Sequence, residues 1–153
     1  MSKAFVKNAE GAGESLPDRE IPPQPNLVTE EGLGQIEHML AEATAAVDEA
    51  QASGDRDAGA KAARELRYWT QRRSSAQLVP PPGDHDQVRF GARVTIARDD
   101  GRERTFRIVG IDEADPAAGT LSYVSPMAQA LIGRVVGDTV RVSGHEIEIL
   151  AIA

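Results

Sequence analysis

The side chains of this sequence with the clearest capacity for chemistry are carboxylates. They lie in three short acidic segments, Asp55-Arg56-Asp57, Asp84-His85-Asp86 and Asp112-Glu113-Ala114-Asp115. Carboxylate oxygens are hard ligands that suit Mg²⁺. The middle segment does not predict a metal site, because three adjacent polar residues in a loop are usually solvated and the other histidines lie far away in sequence. For the other two segments a purely structural role is the alternative to a functional one, since aspartates in turns often cap helices and an acidic loop can be a solvated turn.

The composition of the whole chain excludes several classes of protein. It has 153 residues, no cysteine and a net charge of −7, which excludes a disulfide framework, thiolate metal sites and a generally basic nucleic-acid-binding surface. Met1–Val6 is not followed by the apolar run of a signal peptide, and no stretch approaches the ~20 apolar residues of a membrane span. We therefore expect a cytoplasmic protein with no membrane contact, built as one domain or two small ones.

Residues 27–79 predict two helices that fold back on each other, with a tip near residues 53–59. Thr29 is the expected N-cap of the first arm. Its apolar residues are spaced 3, 4, 3, 4, 3, the pattern that keeps one seam facing a partner helix, and they are Leu33, Ile36, Leu40, Ala43, Val47 and Ala50. The second arm ends before Pro80-Pro81-Pro82-Gly83. Its stripe is interrupted by Arg73 and consists of Ala62, Leu66, Trp69 and Ala76.

Charge favours antiparallel pairing of the two arms within one chain, so we expect a monomer. Residues 27–55 contain seven acidic residues and no lysine or arginine, whereas residues 56–77 contain six basic and two acidic residues. An acidic helix beside a basic one selects that partner, although each exposed pair contributes only ~0–1 kcal/mol. A two-helix hairpin buries little core of its own, so a further domain is expected to anchor its base.

Two segments without regular periodicity flank the hairpin. Residues 1–26 are polar and rich in proline and glycine, which predicts a disordered or extended tail, with a docked peptide as the alternative. Pro80–Gln87 predicts a short, stiff linker to the rest of the chain.

From Val88 onward the pattern changes to the period of two that is typical of strands. Val88–Ile96 predicts a strand, Asp99-Asp100-Gly101 a hairpin turn, and Arg104–Ile111 the return strand. Ser125–Gly133 predicts a short helix with a serine N-cap, a proline at its first position and a glycine after its end. Further strands are expected at Thr120–Val124, Thr139–Val142 and Glu146–Ile152. Residues 88–153 therefore predict an antiparallel sheet of about five strands on one helix, and the whole chain belongs to the α+β class.

The order and spacing of several segments resemble the Gre family (GreA/GreB) of bacterial transcription elongation factors. The similarity extends from Leu27 onward, with Arg67-Tyr68-Trp69-Thr70 at a comparable place near the hairpin base. The segments that carry it are Leu27-Val28-Thr29-Glu30-Glu31-Gly32, Phe90-Gly91-Ala92-Arg93-Val94, Phe106-Arg107-Ile108-Val109-Gly110, Asp112-Glu113-Ala114-Asp115, Ser125-Pro126-Met127-Ala128-Gln129-Ala130-Leu131-Ile132-Gly133 and Gly137-Asp138. Each segment is weak alone, and their order makes the resemblance specific.

The resemblance implies an N-terminal antiparallel coiled coil, a C-terminal FKBP-like domain and binding to RNA polymerase. In this family the globular domain docks at the rim of the secondary channel, and the coiled coil projects toward the active centre. The factor therefore meets nucleic acid only through the elongation complex. Acidic tip residues help to hold a Mg²⁺ ion shared with the polymerase, which cleaves its own backtracked transcript. The factor would be no enzyme and would bind no cofactor alone. The implied polymerase-binding residues are Asp112, Glu113, Asp115, Ser125, Pro126 and Met127.

The tip departs from the family pattern Gly-Asp-x-x-Glu-Asn. Gly54-Asp55 matches, but Ala58 and Gly59 occupy the Glu and Asn positions, and Asp57 lies one residue early. The arms are also shorter than in the cleavage factors by about two turns each, or roughly 10 Å of reach. The resemblance thus makes Asp55 and Asp57 the candidate catalytic and Mg²⁺-binding residues, in competition with a simple capping role.

Other functions stay open at this point. The factor can occupy the secondary channel and compete with other channel binders without stimulating cleavage. It can also regulate another enzyme, since short-coil relatives of the family include a nucleoside diphosphate kinase regulator. A prolyl isomerase is disfavoured, because that activity needs an aromatic-lined pocket and the domain offers only Phe90, Phe106 and Tyr123.

Overall fold

A computed structural model describes residues 15–153, and contacts divide this chain into two units. The helical unit comprises residues 15–23 and Gln35–Ser75, and the sheet unit comprises Gln24–Gly34 and Ala76–Ala153. The helices are α1 (Glu30–Ser53), α2 (Arg56–Ser75) and α3 (Pro126–Leu131). The strands are β1 (Leu27–Val28), β2 (Gln77–Leu78), β3 (Arg93–Arg98), β4 (Glu103–Val109), β5 (Thr120–Ser122), β6 (Thr139–Val142) and β7 (His145–Ile152).

The two predicted arms are α1 and α2, joined by a very short turn. The Thr29 hydroxyl accepts a hydrogen bond from the Gly32 N–H at 3.0 Å, as an N-cap does. Gly54 has a φ of +72°, a left-handed conformation that glycine adopts without steric cost. Because the turn is so short, residues 57–59 lie in the first turn of α2 rather than in the tip loop.

The apolar seam of α1 faces its partner helix, as predicted. Within the helical unit its positions alternate between buried and half-buried along Ile36, Leu40, Ala43, Val47 and Ala50. At the tip, a Cβ built on Gly59 would lie 3.7 Å from the Ala50 Cβ. At the other end, Arg73 Nε donates a hydrogen bond to Glu37 Oε2 at 3.1 Å. These contacts at opposite ends of the arms establish an antiparallel hairpin.

The stripe of α2 differs from the prediction at its C-terminal end. Ala62 and Trp69 are buried as expected, and Leu66 is half-buried. Arg73, which was expected to interrupt the stripe, is exposed at the rim of the hairpin, whereas Arg72 is only 1% exposed. Arg72 follows Trp69 by three residues and therefore continues the inward-facing side of the helix.

The part of the predicted tail that the structure describes makes contacts with α2. Residues 15–23 contain no helix or strand, and the Arg19 guanidinium lies 3.7 Å from the centroid of the Tyr68 ring of α2. Residues 1–14 of the tail lie outside the described residues.

The sheet unit contains one five-stranded sheet in the order β5-β4-β3-β7-β6. Three of its neighbouring pairs are antiparallel, as predicted, but β5 runs parallel to β4. The connection 110–119 carries the chain back along β4 before β5 begins, which a tight hairpin turn cannot do. The inner face of the sheet packs with α3 around a core of Val88, Val94, Ile96, Phe106, Ile108, Leu121, Ala128, Leu131, Val140, Ile147 and Ile149.

The first strand of this sheet begins later than predicted. The period-two pattern starts at Val88, but β3 starts at Arg93, because Gly91 forms a turn with a φ of +87°. The Gly91 N–H bonds the Ile108 carbonyl at 2.7 Å, so the segment still lies beside β4. Val88 is buried and uses its backbone to bond residues 133 and 134 after α3.

The ends of α3 and the hairpin turn of β3–β4 match the prediction. The Ser125 hydroxyl accepts a hydrogen bond from the Ala128 N–H at 3.2 Å, and Pro126 takes the first helical position. Gly133 has the expected left-handed conformation after the helix, with a φ of +85°. In the β-hairpin, the Arg98 N–H bonds the Arg102 carbonyl at 2.8 Å across the Asp99-Asp100-Gly101 turn.

A two-stranded parallel ladder, which the sequence did not predict, joins both ends of the hairpin stretch. β1 pairs with β2, with Leu27 opposite Gln77. Backbone bonds flank this ladder, from Gln77 N–H to the Asn26 carbonyl at 2.8 Å and from Val79 N–H to the Val28 carbonyl at 2.9 Å. The division between units consequently falls at Gly34 and Ser75, inside the stretch predicted as the hairpin and before the predicted linker.

Candidate functional site

The tip of the hairpin holds the two candidate catalytic carboxylates, Asp55 and Asp57. Asp55 is the N-cap of α2, because its Oδ1 accepts a hydrogen bond from the Ala58 N–H at 3.1 Å. Its carbonyl also accepts the Gly59 N–H at 2.9 Å. Asp57 lies in the first turn of α2, where the helix dipole favours negative charge. Both residues are exposed. The tip therefore presents two carboxylates, and that of Asp55 already accepts a hydrogen bond from α2.

Replacing Asp55 with alanine should lower the free energy of unfolding of the helical unit by about 1 kcal/mol, because α2 loses its N-cap. Asp57→Ala is the matched control and should lower it by no more than about 0.5 kcal/mol, since only a dipole interaction is lost. Urea unfolding followed by far-ultraviolet circular dichroism measures both. Equal effects of the two substitutions would contradict the capping assignment.

The acidic loop after β4 does not present all its carboxylates to solvent. The side chain of Glu113, predicted to contact a polymerase, points back into the sheet unit. Its Oε2 accepts hydrogen bonds from the Thr29 N–H at 3.0 Å and the Gly110 N–H at 3.1 Å, and its Oε1 accepts one from the Thr29 hydroxyl at 2.5 Å. Charge-assisted hydrogen bonds of this kind are the strong ones in proteins. Glu113 is thereby part of the structure of the sheet unit.

The Glu113 carboxylate completes the cap of α1 from a distant part of the chain. In a capping box, a Glu at the third helical position bonds the N–H of the N-cap residue. Here that position is Gly32, and Glu113, 84 residues from Thr29, supplies the carboxylate instead. A Cβ on Gly32 would lie 2.0 Å from Glu113 Oε2, so a glycine is needed where the carboxylate enters. We call Thr29, Gly32, Gly110 and Glu113 the Glu113 cradle.

Gly110 is the second glycine that the cradle requires. A Cβ at this position would lie 2.4 Å from the Leu27 carbonyl oxygen and 3.0 Å from Glu113 Oε2. The sequence carried a signal for the cradle, namely the glycines of Glu31-Gly32 and Val109-Gly110 next to strand and helix patterns. Nothing in the sequence alone connected these two glycines to each other.

The remaining residues of the acidic loop are placed differently. Asp112 is half-buried, and Asp115 is exposed. The Asp115 carboxylate caps a short 3₁₀ turn, accepting the Ala117 N–H at 3.2 Å, and its backbone N–H donates to the Thr120 hydroxyl at 2.7 Å. Of the three predicted contact residues in this loop, Asp115 is the exposed one.

The α3 corner presents a mixed surface. Pro126 is exposed, the Ser125 hydroxyl is engaged as the N-cap, and Met127 is partly buried against the core of the sheet unit. The exposed apolar side chains Ile132, Val135 and Val136 follow α3 directly. This corner therefore offers apolar contact area beside a proline, and Asp115 precedes it across β5 in the chain.

An ion pair near the start of α1 affects the pKa of a carboxyl group. Arg107 Nη1 lies 3.3 Å from Glu31 Oε2. The pKa of the Glu31 carboxyl is lowered. The main cause is a hydrogen bond from the Glu31 backbone, and the second is the positive charge of Arg107. A folded-state pKa below the unfolded one means that this group stabilises the fold above the unfolded pKa, and that its contribution is lost as the pH falls through the folded pKa.

The described residues hold no pre-formed metal cluster of three or more histidine, cysteine or acidic side chains. His85 and the aspartates beside it lie in an exposed loop, where Asp84 pairs with Arg89 at 3.5 Å. None of the helices within residues 15–153 combines the length and the apolar character that a membrane span needs.

Comparison with known proteins gives the family. The family description "Transcription elongation factor, GreA/GreB, C-term" matches residues 83–153. The GreB factor of Neisseria meningitidis serogroup B is 45% identical over 95 residues, an alignment that spans 58% of each chain. Among solved structures, the GreA factor homolog 1 (Gfh1) of Thermus thermophilus is 21% identical with a TM-score of 0.42, in a match that covers 85% of this chain and 99% of that one.

Two further relatives match across most of their own length. The GreA factor of Desulfovibrio desulfuricans is 38% identical over 125 residues, covering 74% of this chain and 77% of the relative. The GreA factor of Paracoccus denitrificans is 34% identical over 148 residues, covering 82% and 95%. Both alignments are longer than the sheet unit, so they also include part of the helical unit. They name the same family as the match to residues 83–153. The chain belongs to the GreA/GreB family of transcription elongation factors.

Proposed function

We propose that this protein binds RNA polymerase and acts on elongation through the polymerase's secondary channel. The observation that carries the proposal is the antiparallel hairpin with paired carboxylates at its tip, in a chain of the GreA/GreB family. In this proposal the sheet unit docks at the channel rim through Asp112, Asp115 and the α3 corner (Ser125, Pro126 and Met127), and the hairpin enters the channel. The protein would act as a monomer in the cytoplasm and contact nucleic acid only through the elongation complex.

The chemistry of transcript cleavage would belong to the polymerase and not to this chain. Mg²⁺ is commonly held by one or two protein carboxylates together with substrate phosphates. Asp55 and Asp57 suit such a shared ion, because both are exposed at the tip of the hairpin. The bound ion would help to activate water for phosphodiester hydrolysis. The proposed role of the two aspartates is to complete a metal site whose other ligands lie on the polymerase.

A second candidate function is occupation of the channel without cleavage. Two observations favour it: the Asp55 carboxylate is engaged as the cap of α2, and Ala58 stands where the resembling family carries a glutamate. A tip with fewer available oxygens binds a second metal ion more weakly. Such a factor would compete with other proteins that enter the channel.

A cleavage assay on stalled polymerase tests these alternatives. If the protein supports cleavage, it should shorten the transcripts, and the Asp55→Ala, Asp57→Ala double variant should lose that activity while still binding the polymerase. Glu49→Ala, an exposed acid of α1 outside the tip, is the control and should retain it. Polymerase binding without any shortening would support channel occupation alone.

Co-purification tests the partner itself. Core RNA polymerase should be recovered with the protein, whereas recovery of a nucleoside diphosphate kinase in its place would overturn the proposal. Asp115→Arg should weaken polymerase binding about tenfold, or about 1.4 kcal/mol, by reversing the charge at the proposed docking surface. Glu146→Arg makes the same change in net charge at an exposed position of β7 and should leave binding unchanged.

A further inference from the structure

The segment before the hairpin makes a set of ionic contacts with α2 that the family assignment does not explain. Arg19 Nη1 donates hydrogen bonds to both carboxylate oxygens of Glu65, at 3.0 and 3.2 Å. The same guanidinium lies over the Tyr68 ring, 3.7 Å from its centroid, and 5.6 Å from the centroid of the Trp69 ring. A cation over an aromatic face adds attraction to the ion pair.

A second arginine holds the segment from the helix side. Arg67 Nε donates to the Asp18 carboxylate, and Arg67 Nη2 donates to the Leu16 carbonyl at 3.0 Å. The two ion pairs are therefore crossed. Asp18 of the segment pairs with Arg67 of α2, and the next residue, Arg19, pairs with Glu65. This pattern fixes one register, because a shift by one residue would place like charges opposite each other.

Charge contributes more than burial to this attachment. The paired side chains of Arg19, Glu65, Arg67 and Asp18 are each between 34% and 73% exposed. A cavity of about 380 Å³ remains between the segment and the helix, and Ile21 beside it is 40% exposed. Beneath the segment, Tyr68 and Trp69 are 5% and 8% exposed. The segment therefore helps to cover the Tyr68 ring and lies beside Trp69, which belongs to the inward-facing side of α2.

The composition of the segment suits reversible binding. Proline residues at 17, 22 and 23 restrict the backbone before it binds, so less conformational entropy is lost when it docks. Half-exposed ion pairs are screened by salt. An attachment of this kind can open without unfolding the hairpin.

We propose that α2 carries a recognition surface, made by Glu65, Arg67 and Tyr68, for an extended peptide with adjacent acidic and basic residues. The chain's own residues 16–21 occupy this surface in cis, as a strap that opens when its ion pairs are screened. Opening uncovers the Tyr68 ring and changes the surroundings of Trp69 beside it.

Charge exchange in the full-length chain tests the strap. The chain contains one tryptophan, Trp69, so acrylamide quenching of its fluorescence reports opening. Arg19→Glu should lower the closing constant about tenfold, because the ion pair and the cation over Tyr68 are lost and the new carboxylate repels Glu65, and quenching should increase. Glu65→Arg should do the same, and the Arg19→Glu, Glu65→Arg double variant should return quenching most of the way to the wild-type value, because it restores the ion pair but not the cation over Tyr68.

The matched control is Glu20→Arg, a charge reversal at the next residue, which is exposed. It should leave quenching unchanged, and salt should increase quenching more in the wild type than in Arg19→Glu, which keeps only the Asp18–Arg67 ion pair. A second, independent exchange, Asp18→Arg with Arg67→Asp, covers the case in which one helix substitution disturbs folding. Circular dichroism verifies that each variant keeps its helices.

A peptide experiment tests recognition directly. A synthetic peptide of residues 15–23, added to full-length Arg19→Glu, should return Trp69 quenching to the wild-type value, and the same peptide carrying Arg19→Glu should not. Restored protection by the wild-type peptide alone supports the recognition surface. Equal quenching in Arg19→Glu and Glu20→Arg, or failure of both charge exchanges to restore protection, would overturn the proposal.

Discussion

Glu113→Ala is expected to lower the free energy of unfolding of the sheet unit by about 3 kcal/mol, because strong charge-assisted hydrogen bonds are lost and buried donors are left unpaired. The Thr29 N–H, the Thr29 hydroxyl and the Gly110 N–H all donate to this carboxylate. For a chain of this length, such a loss corresponds to a fall of roughly 6–12 °C in the melting temperature. Differential scanning calorimetry measures it.

Two controls separate the cradle from a general effect of charge. Asp115→Ala removes an exposed acid from the same loop and should lower the free energy of unfolding by less than about 1 kcal/mol, because only a turn cap is lost. Glu113→Gln keeps the shape of the side chain but places an amide NH₂ among donors, so its effect should lie near that of Glu113→Ala. If Glu113→Ala were no more destabilising than Asp115→Ala, the structural role of Glu113 would be wrong.

Gly32→Ala is expected to destabilise the sheet unit by about 2–3 kcal/mol, although alanine is normally the better helix former. The added Cβ would lie 2.0 Å from Glu113 Oε2, so the carboxylate must move away from Thr29 and lose its hydrogen bonds. Gly34, two residues later in the same helix, has no atom within 4 Å of an added Cβ. Gly34→Ala should therefore stabilise the protein by about 0.5–1 kcal/mol. Urea unfolding of the two variants gives the comparison.

A double-variant cycle tests whether Gly32 acts through Glu113. Gly32→Ala combined with Glu113→Ala should cost much less than the sum of the two single changes, because the displaced side chain is already absent. Gly110→Ala behaves differently, since its Cβ also meets the Leu27 backbone at 2.4 Å, and removing Glu113 cannot relieve that contact. Additive effects of Gly32→Ala and Glu113→Ala would contradict the cradle.

The hairpin was predictable because its information is local. The spacing of seam residues from Ile36 to Ala50 repeats along one helix, and it predicted the buried positions correctly. The caps of α1 and α3 were predictable for the same reason, since Thr29 and Ser125 act within one turn of themselves. The tip was predicted as a longer loop than it is, because the aspartates of Asp55-Arg56-Asp57 suit a cap, a first helical turn and a loop about equally well.

The sheet was predictable in strand content but not in every pairing. The alternation of apolar and polar residues after Val88 is present, but Gly91 forms a turn in its first part. A period of two does not specify the residue at which strand pairing begins, which is Arg93. The parallel pairing of β5 with β4 depends on the course of the connection 110–119, which has no periodic signal. The parallel strands β1 and β2 are too short to show a periodic pattern in the sequence.

For this protein, the sequence alone determined the two helical arms, the strand-rich second half, the acidic tip and the resemblance that gives the family. Each of these depends on neighbours in the chain or on a repeating period. The tertiary structure decided what the carboxylates do: Asp55 caps α2, Glu113 caps α1 from a distant loop, and Asp115 remains exposed. A carboxylate takes its role from the donors that reach it, and the donors that reach Glu113 come together only when segments 84 residues apart are folded against each other.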